Sequence, residues 1–115
     1  MITLHGIPNC DTVKKARAWL TQHGVEHTFH DYKKVGVDPA ALDRWIDALG
    51  WETLLNRAGS TFRKLPESDR QNLDAERAKA IMLAHPSTIK RPVIEGEGLI
   101  EAGFKPDRYA ALLPV

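Results

Sequence analysis

No disulfide can form within this chain, because it contains a single cysteine, Cys10. Its stability must come from a packed core, and one reduced thiol points to a cytoplasmic protein. Long apolar runs are also missing, and no stretch reaches the roughly 20 residues that span a bilayer. The first residues, MITLHGI, lack the charged start and long apolar stretch of a signal peptide. Neither sign of charge dominates. The formal net charge is +1 with histidine neutral, which gives no general attraction to nucleic acid or to a membrane surface. Metal-ligand spacing is absent too. His27 and His30 lie three apart on an expected strand and point to opposite faces, and His23 and His85 sit where helices end. The "GEG" at 96–98 lacks the strand–Gly–helix context of a nucleotide loop. There are no repeats, low-complexity segments or long linkers.

What remains suits one domain spanning 1–115. Hydrophobic residues make up 43% and charged residues 27%, and at this size roughly two-thirds of the unfolded surface can be buried. Ile2–Gly6 alternates and predicts a strand. Gly6, Pro8 and Asn9 supply a turn. A helix follows from Thr12, with Val13, Ala16 and Leu20 on one face and Gly24 at its end. Val25–Tyr32 is rich in β-branched and aromatic residues and predicts a second strand. Strand, helix and strand in this order suggest a right-handed βαβ unit.

The middle is helical. Asp38 and Pro39 form a helix start, and Leu42, Trp45, Ile46 and Leu49 share its buried face. Shorter helices are expected at Trp51–Leu55, Glu67–Asn72 and Asp74–His85. "RPVIEGEGLIEAGF" then predicts a hairpin around Gly96–Gly98, and Lys105–Leu113 a last helix. The order gives an α/β sandwich with a helical insertion at about 38–88.

Two positions carry chemistry. Cys10 lies between a strand-ending turn and a helix start, so free N–H groups and the positive end of the helix dipole face its sulfur. A cysteine in such a place can have its pKa lowered from about 8.5 to roughly 3.5–7.5. Lys14, Lys15 and Arg17 add positive charge on the same helix. Without that context a lone cysteine reads as a small buried apolar residue. Arg91 lies immediately before Pro92, which holds it extended at a strand's entrance. Taken alone, it reads as a solvated arginine beside a strand-starting proline.

Together, "GIPNCDTVKKARAWL", the helical insertion and "IKRPVIEG…GF" resemble the arsenate reductase-like (ArsC/Spx/YffB) family over essentially the whole chain. "HDYKKVGVD", "GWETLLNRAGSTFRKL" and "IKRPV" resemble its YffB branch. The resemblance implies a thioredoxin/glutaredoxin-like sandwich with a mixed sheet and a helical insertion. It implies Cys10 as nucleophile, with Arg91 and a cis Pro92 matching the family's "RP" pair. Arsenate reductases of the family use three arginines around the oxyanion. Here Arg91 matches one, Asn56 aligns with another with Arg57 one residue on, and Lys105 takes the third. Lysine lacks the bidentate fork, so arsenate reduction is expected to be poor or absent.

The implied activity is that of a glutathione-dependent thiol reductase. With no second cysteine to resolve an adduct on Cys10, an external thiol must do it. Arg91, with Lys105 and Arg57, would hold a carboxylate or oxyanion, Pro92 would offer backbone to the tripeptide, and Thr12 and Lys14 would support the thiolate. The expected partners are glutathione and a small disulfide, glutathionylated or oxyanion substrate. The chain is expected to act as a monomer without a bound cofactor or metal, away from nucleic acid and membrane. The alternative is a non-catalytic Spx-like adaptor for a protein partner such as RNA polymerase, with Lys14, Lys15 and Arg17 as an interface. The C-x-x-C switch of many Spx proteins is absent, since Val13 occupies its second position.

Overall fold

A computed structural model describes residues 1–96 and 98–113. The chain divides into two compact units, one made of Met1–Lys34 with Arg91–Val115 and the other of Val35–Lys90.

The first unit holds the sheet. Its elements are β1 (Ile2–Gly6), α1 (Asp11–Gln22), β2 (His27–Asp31), β3 (Val93–Gly96) and β4 (Leu99–Ala102). The short helix α2 (Tyr32–Val35) follows β2, and α7 (Pro106–Leu112) follows β4. The strand order is β2-β1-β3-β4, with β1 and β2 parallel and the other neighbours antiparallel. The expected βαβ unit and hairpin are both present; Glu97, between the hairpin strands, lies outside the described residues. One face of the sheet, through Leu4 and Ile94, packs on Val13, Ala16, Trp19 and Leu20 of α1 and on Tyr109 and Leu113. Fully burying an apolar side chain of this size contributes roughly 1.5–3 kcal/mol, so these eight residues secure α1 and α7 to the sheet.

The start of α1 is fixed by the strand before it. A Cβ on Gly6 would lie 2.9 Å from Val13 Cγ2, so the bare backbone of β1 permits α1 to pack closely. At the other end Gly24, at φ 69°, lets the chain reverse. β2 is shorter than the expected Val25–Tyr32. Asp31 Oδ1 accepts from the N–H groups of Lys33 and Lys34 at 3.1 and 3.2 Å, which starts α2 and takes Tyr32 out of the strand.

The second unit is helical: α3 (Pro39–Leu49), α4 (Trp51–Leu54), α5 (Ser60–Arg63) and α6 (Ala75–Ala84). Asp38 caps α3 by accepting from the Ala40 N–H at 3.2 Å, and Asp74 caps α6 by accepting from that of Arg77 at 2.8 Å. The helix expected at Glu67–Asn72 is only a 3₁₀ turn at Glu67–Asp69. Asn72 sits at φ 55°, a left-handed conformation that asparagine tolerates and that ends any helix there.

Candidate active site

Strand directions explain why distant residues meet. Gly6 pairs with Asp31, His5 with Val93, and Val93 with Ala102. The ends of β1, β2 and β4 and the start of β3 therefore share one end of the sheet. Cys10 follows β1, Tyr32 follows β2, Arg91 and Pro92 precede β3, and Lys105 follows β4. All five belong to the first unit.

Cys10 is the N-cap residue of α1, with extended backbone (φ −141°, ψ 124°). Its carbonyl accepts from the Lys14 N–H at 2.9 Å, but its side chain makes no capping bond. The thiol is free, half-buried and packed against the core. It occupies the place where serine or aspartate would accept a first-turn N–H, so a sulfur carrying negative charge finds donors there. Asp11 adds a carboxylate in the same turn. A negative group thus competes with the helix end, and cations from other elements matter the more.

Thr12 and Lys14 are both exposed in the first turn and a half of α1. Arg17 is engaged elsewhere, its guanidinium 4.4 Å from the centre of the Phe29 ring. The Arg91–Pro92 peptide is cis. Pro92 is buried, and its carbonyl accepts from the Gly103 N–H at 2.8 Å, which ties the start of β3 to the turn after β4. Arg91 is half-buried. Lys105 is exposed as the N-cap of α7. Arg57 belongs to the second unit, exposed and with its guanidinium 5.6 Å from the Trp51 ring centre. Beside it Asn56, the residue aligned with the family's arginine, donates its N–H to the Thr88 carbonyl at 2.8 Å.

Tyr32 is the residue that sequence reasoning missed. It is fully buried, and its hydroxyl has no hydrogen-bond partner among the described residues. Burying such a group unsatisfied costs about 1–3 kcal/mol. Burial holds its phenol well above the ordinary value, while the charges of Arg91 and of Cys10 pull it down and push it up respectively. Tyr32 is thus within electrostatic reach of both. The signal was Asp31: an Asx cap followed by "YKK" marks a helix start, which moves Tyr32 from a strand's edge to the end of the sheet.

On the sheet, His5 lies 3.5 Å from Glu95 and its ring centre 5.2 Å from that of His30. Among the described residues no three His, Cys, Asp or Glu side chains are grouped to hold a metal ion. Among the described residues no helix is long and apolar enough to cross a membrane.

Comparison with known proteins identifies the family and the fold. The profile of the ArsC family matches residues 5–112. A solved YffB protein is 56% identical, covers 98% of this chain and 99% of its own, and superposes with a TM-score of 0.95. An arsenate reductase (ArsC) related protein from Brucella melitensis is 58% identical over 96% of this chain and 92% of its own, with a TM-score of 0.76. The global transcriptional regulator Spx of Listeria innocua is 27% identical over 99% of this chain and 88% of its own. The shared fold is thioredoxin-like, with a mixed four-stranded sheet.

Proposed function

The chain belongs to the ArsC family, and from that premise we propose that it is a thiol-dependent reductase that uses Cys10 as nucleophile and glutathione as co-substrate. The observation that carries this reading is the convergence at one sheet end of Cys10, at the head of α1, with Arg91 and Tyr32.

The reaction has two steps. Cys10 thiolate attacks one sulfur of a disulfide, the S–S bond breaks, and the other sulfur leaves as a thiolate. A mixed disulfide now joins Cys10 to half of the substrate. A glutathione thiolate attacks that bond, so Cys10 leaves as thiolate and a new disulfide departs. Two electrons pass from thiol to substrate, and the protein returns unchanged. Because the chain has no second cysteine, the resolving thiol comes from outside. Arg91 holds an anionic group of the substrate, and Lys105, in the same unit, is the further candidate cation. The backbone at Pro92 serves to pair with the tripeptide, and Thr12 and Lys14 support the thiolate end of α1. Arsenate is a poor substrate in this reading, because lysine at 105 and asparagine at 56 do not supply the planar fork of arginine.

Intact mass after incubation with oxidised glutathione tests the proposal. One glutathione adduct is expected on the native protein and none on Cys10→Ser. A native protein that stays unmodified while its denatured form reacts would overturn it.

The Spx relative supports a second reading, a binding module for a protein partner. Val13 removes the C-x-x-C switch from that reading but not the docking itself. Rapid alkylation of Cys10 at neutral pH, with turnover of a glutathionylated peptide, favours the enzyme. A thiol slow to react, with no turnover, favours the module.

A further inference from the structure

Two tyrosines are fully buried in this chain, and they are treated differently. Tyr109 donates its hydroxyl to the Gly103 carbonyl at 3.2 Å. Tyr32 donates to nothing described. Buried hydroxyls are nearly always paired, so an unpaired one asks what it is kept for.

Its position answers. Asp31 fixes the turn that carries Tyr32 off the end of β2, at the sheet end where Cys10 and Arg91 also emerge. We propose that the Tyr32 hydroxyl is a reserved donor for an anionic group of the molecule that meets Cys10, sharing a carboxylate or oxyanion with Arg91. The inference deepens the reductase reading, since it takes Cys10 as a nucleophile that outside molecules reach. A carboxylate has two oxygens and accepts from several donors. Arginine supplies charge and direction, and a neutral phenol adds a second donor without a second cation. Burial keeps the phenol protonated, so it remains a donor through the physiological range. The group recognised is a carboxylate or oxyanion lying next to the reacting atom.

Two alkylating reagents of similar size separate this from the alternatives. Iodoacetate carries a carboxylate next to its reacting carbon, whereas iodoacetamide is neutral there. With either, the Cys10 sulfur forms a bond to that carbon and iodide leaves. In the wild-type protein the ratio of iodoacetate to iodoacetamide rates is expected to exceed that of a free cysteine derivative. Tyr32→Phe removes only the hydroxyl. It is expected to lower the iodoacetate rate about tenfold, the scale of one hydrogen bond to a charged group, and to leave the iodoacetamide rate within about twofold. Melting temperature should hold or rise, because an unsatisfied buried group is removed.

Three results overturn the proposal. The first is a wild-type ratio equal to that of the free thiol, which needs no variant to observe. The second is a ratio that is the same in Tyr32→Phe as in wild type, whatever happens to stability. The third is a fall of both rates together, which assigns the hydroxyl to the sulfur itself. None of these measurements uses glutathione. A protein that forms no adduct with oxidised glutathione but keeps the Tyr32-dependent ratio loses the reductase reading alone, and one that forms the adduct without that ratio loses only the anion site.

Discussion

Arg91 is the residue whose substitution tests the candidate site most directly. It stands half-buried before Pro92 and acts electrostatically on Tyr32. If it anchors the substrate's anionic group, Arg91→Ala removes a charge-assisted contact of about 1.5–3 kcal/mol, roughly tenfold to a hundredfold in kcat/KM for a glutathione disulfide. Arg91→Lys should recover part of that, because charge returns without the fork. Melting temperature should move by only a few degrees in both variants. A large fall in stability with unaltered kcat/KM in the folded fraction would make Arg91 a structural pin for the strand start. Cys10 and Arg91 were legible because local order announces them: a thiol between a turn and a helix, and an arginine held extended by the next proline. Tyr32 was not. Its meaning depends on where β2 stops and on which strand ends lie beside it, and neither is a property of a short window.

At the scale of elements, capping chemistry and periodicity were sufficient where they agreed. Asp38 and Asp74 each start a helix as their sequence contexts suggest. The structure departs from the expected elements where a short polar side chain redirects the backbone, at Asp31 and at Asn72. The pairing of β1 with β3, about ninety residues away, follows from long-range packing and could only be inferred from resemblance. One contact between elements bears directly on the site. Gly6→Ala sets a methyl 2.9 Å from Val13 Cγ2, so either the Val13 side chain or the first turn of α1, which Cys10 caps, has to shift. Overpacking of this kind costs about 1–3 kcal/mol. Val13→Ala should also destabilise, by leaving a cavity. The two together should cost less than their sum, since the methyl that clashes is gone. Urea unfolding of the two single variants and the double variant measures this, and strict additivity would mean that Gly6 and Val13 do not press on each other.

At the scale of the whole molecule, the two ends of the chain close one unit around Tyr109. Its ring meets Trp19 edge-on at 5.6 Å and Phe104 at 4.8 Å, and its hydroxyl reaches Gly103. Burial first, and the carboxylate of Glu101 second, hold this phenol above its ordinary value of 10.0. The native state therefore keeps a proton that the unfolded chain gives up. The resulting stability is fully present below about pH 10 and falls as pH rises from there towards the native value. Tyr109→Phe lacks the hydroxyl, its bond and its titration. At pH 7 it should be less stable than wild type by about 0.5–1.5 kcal/mol, the net worth of one neutral hydrogen bond. Between pH 10 and 11 that gap should narrow, because only the wild type loses stability through this group. The raised phenol of Tyr32 is common to both proteins and cancels in the comparison. Melting curves of the pair from pH 7 to 11 give the answer. A gap that stays constant, or widens, would mean that the Tyr109 hydroxyl ionises as easily in the folded chain as in the unfolded one, and that helix α7 does not seal it from water.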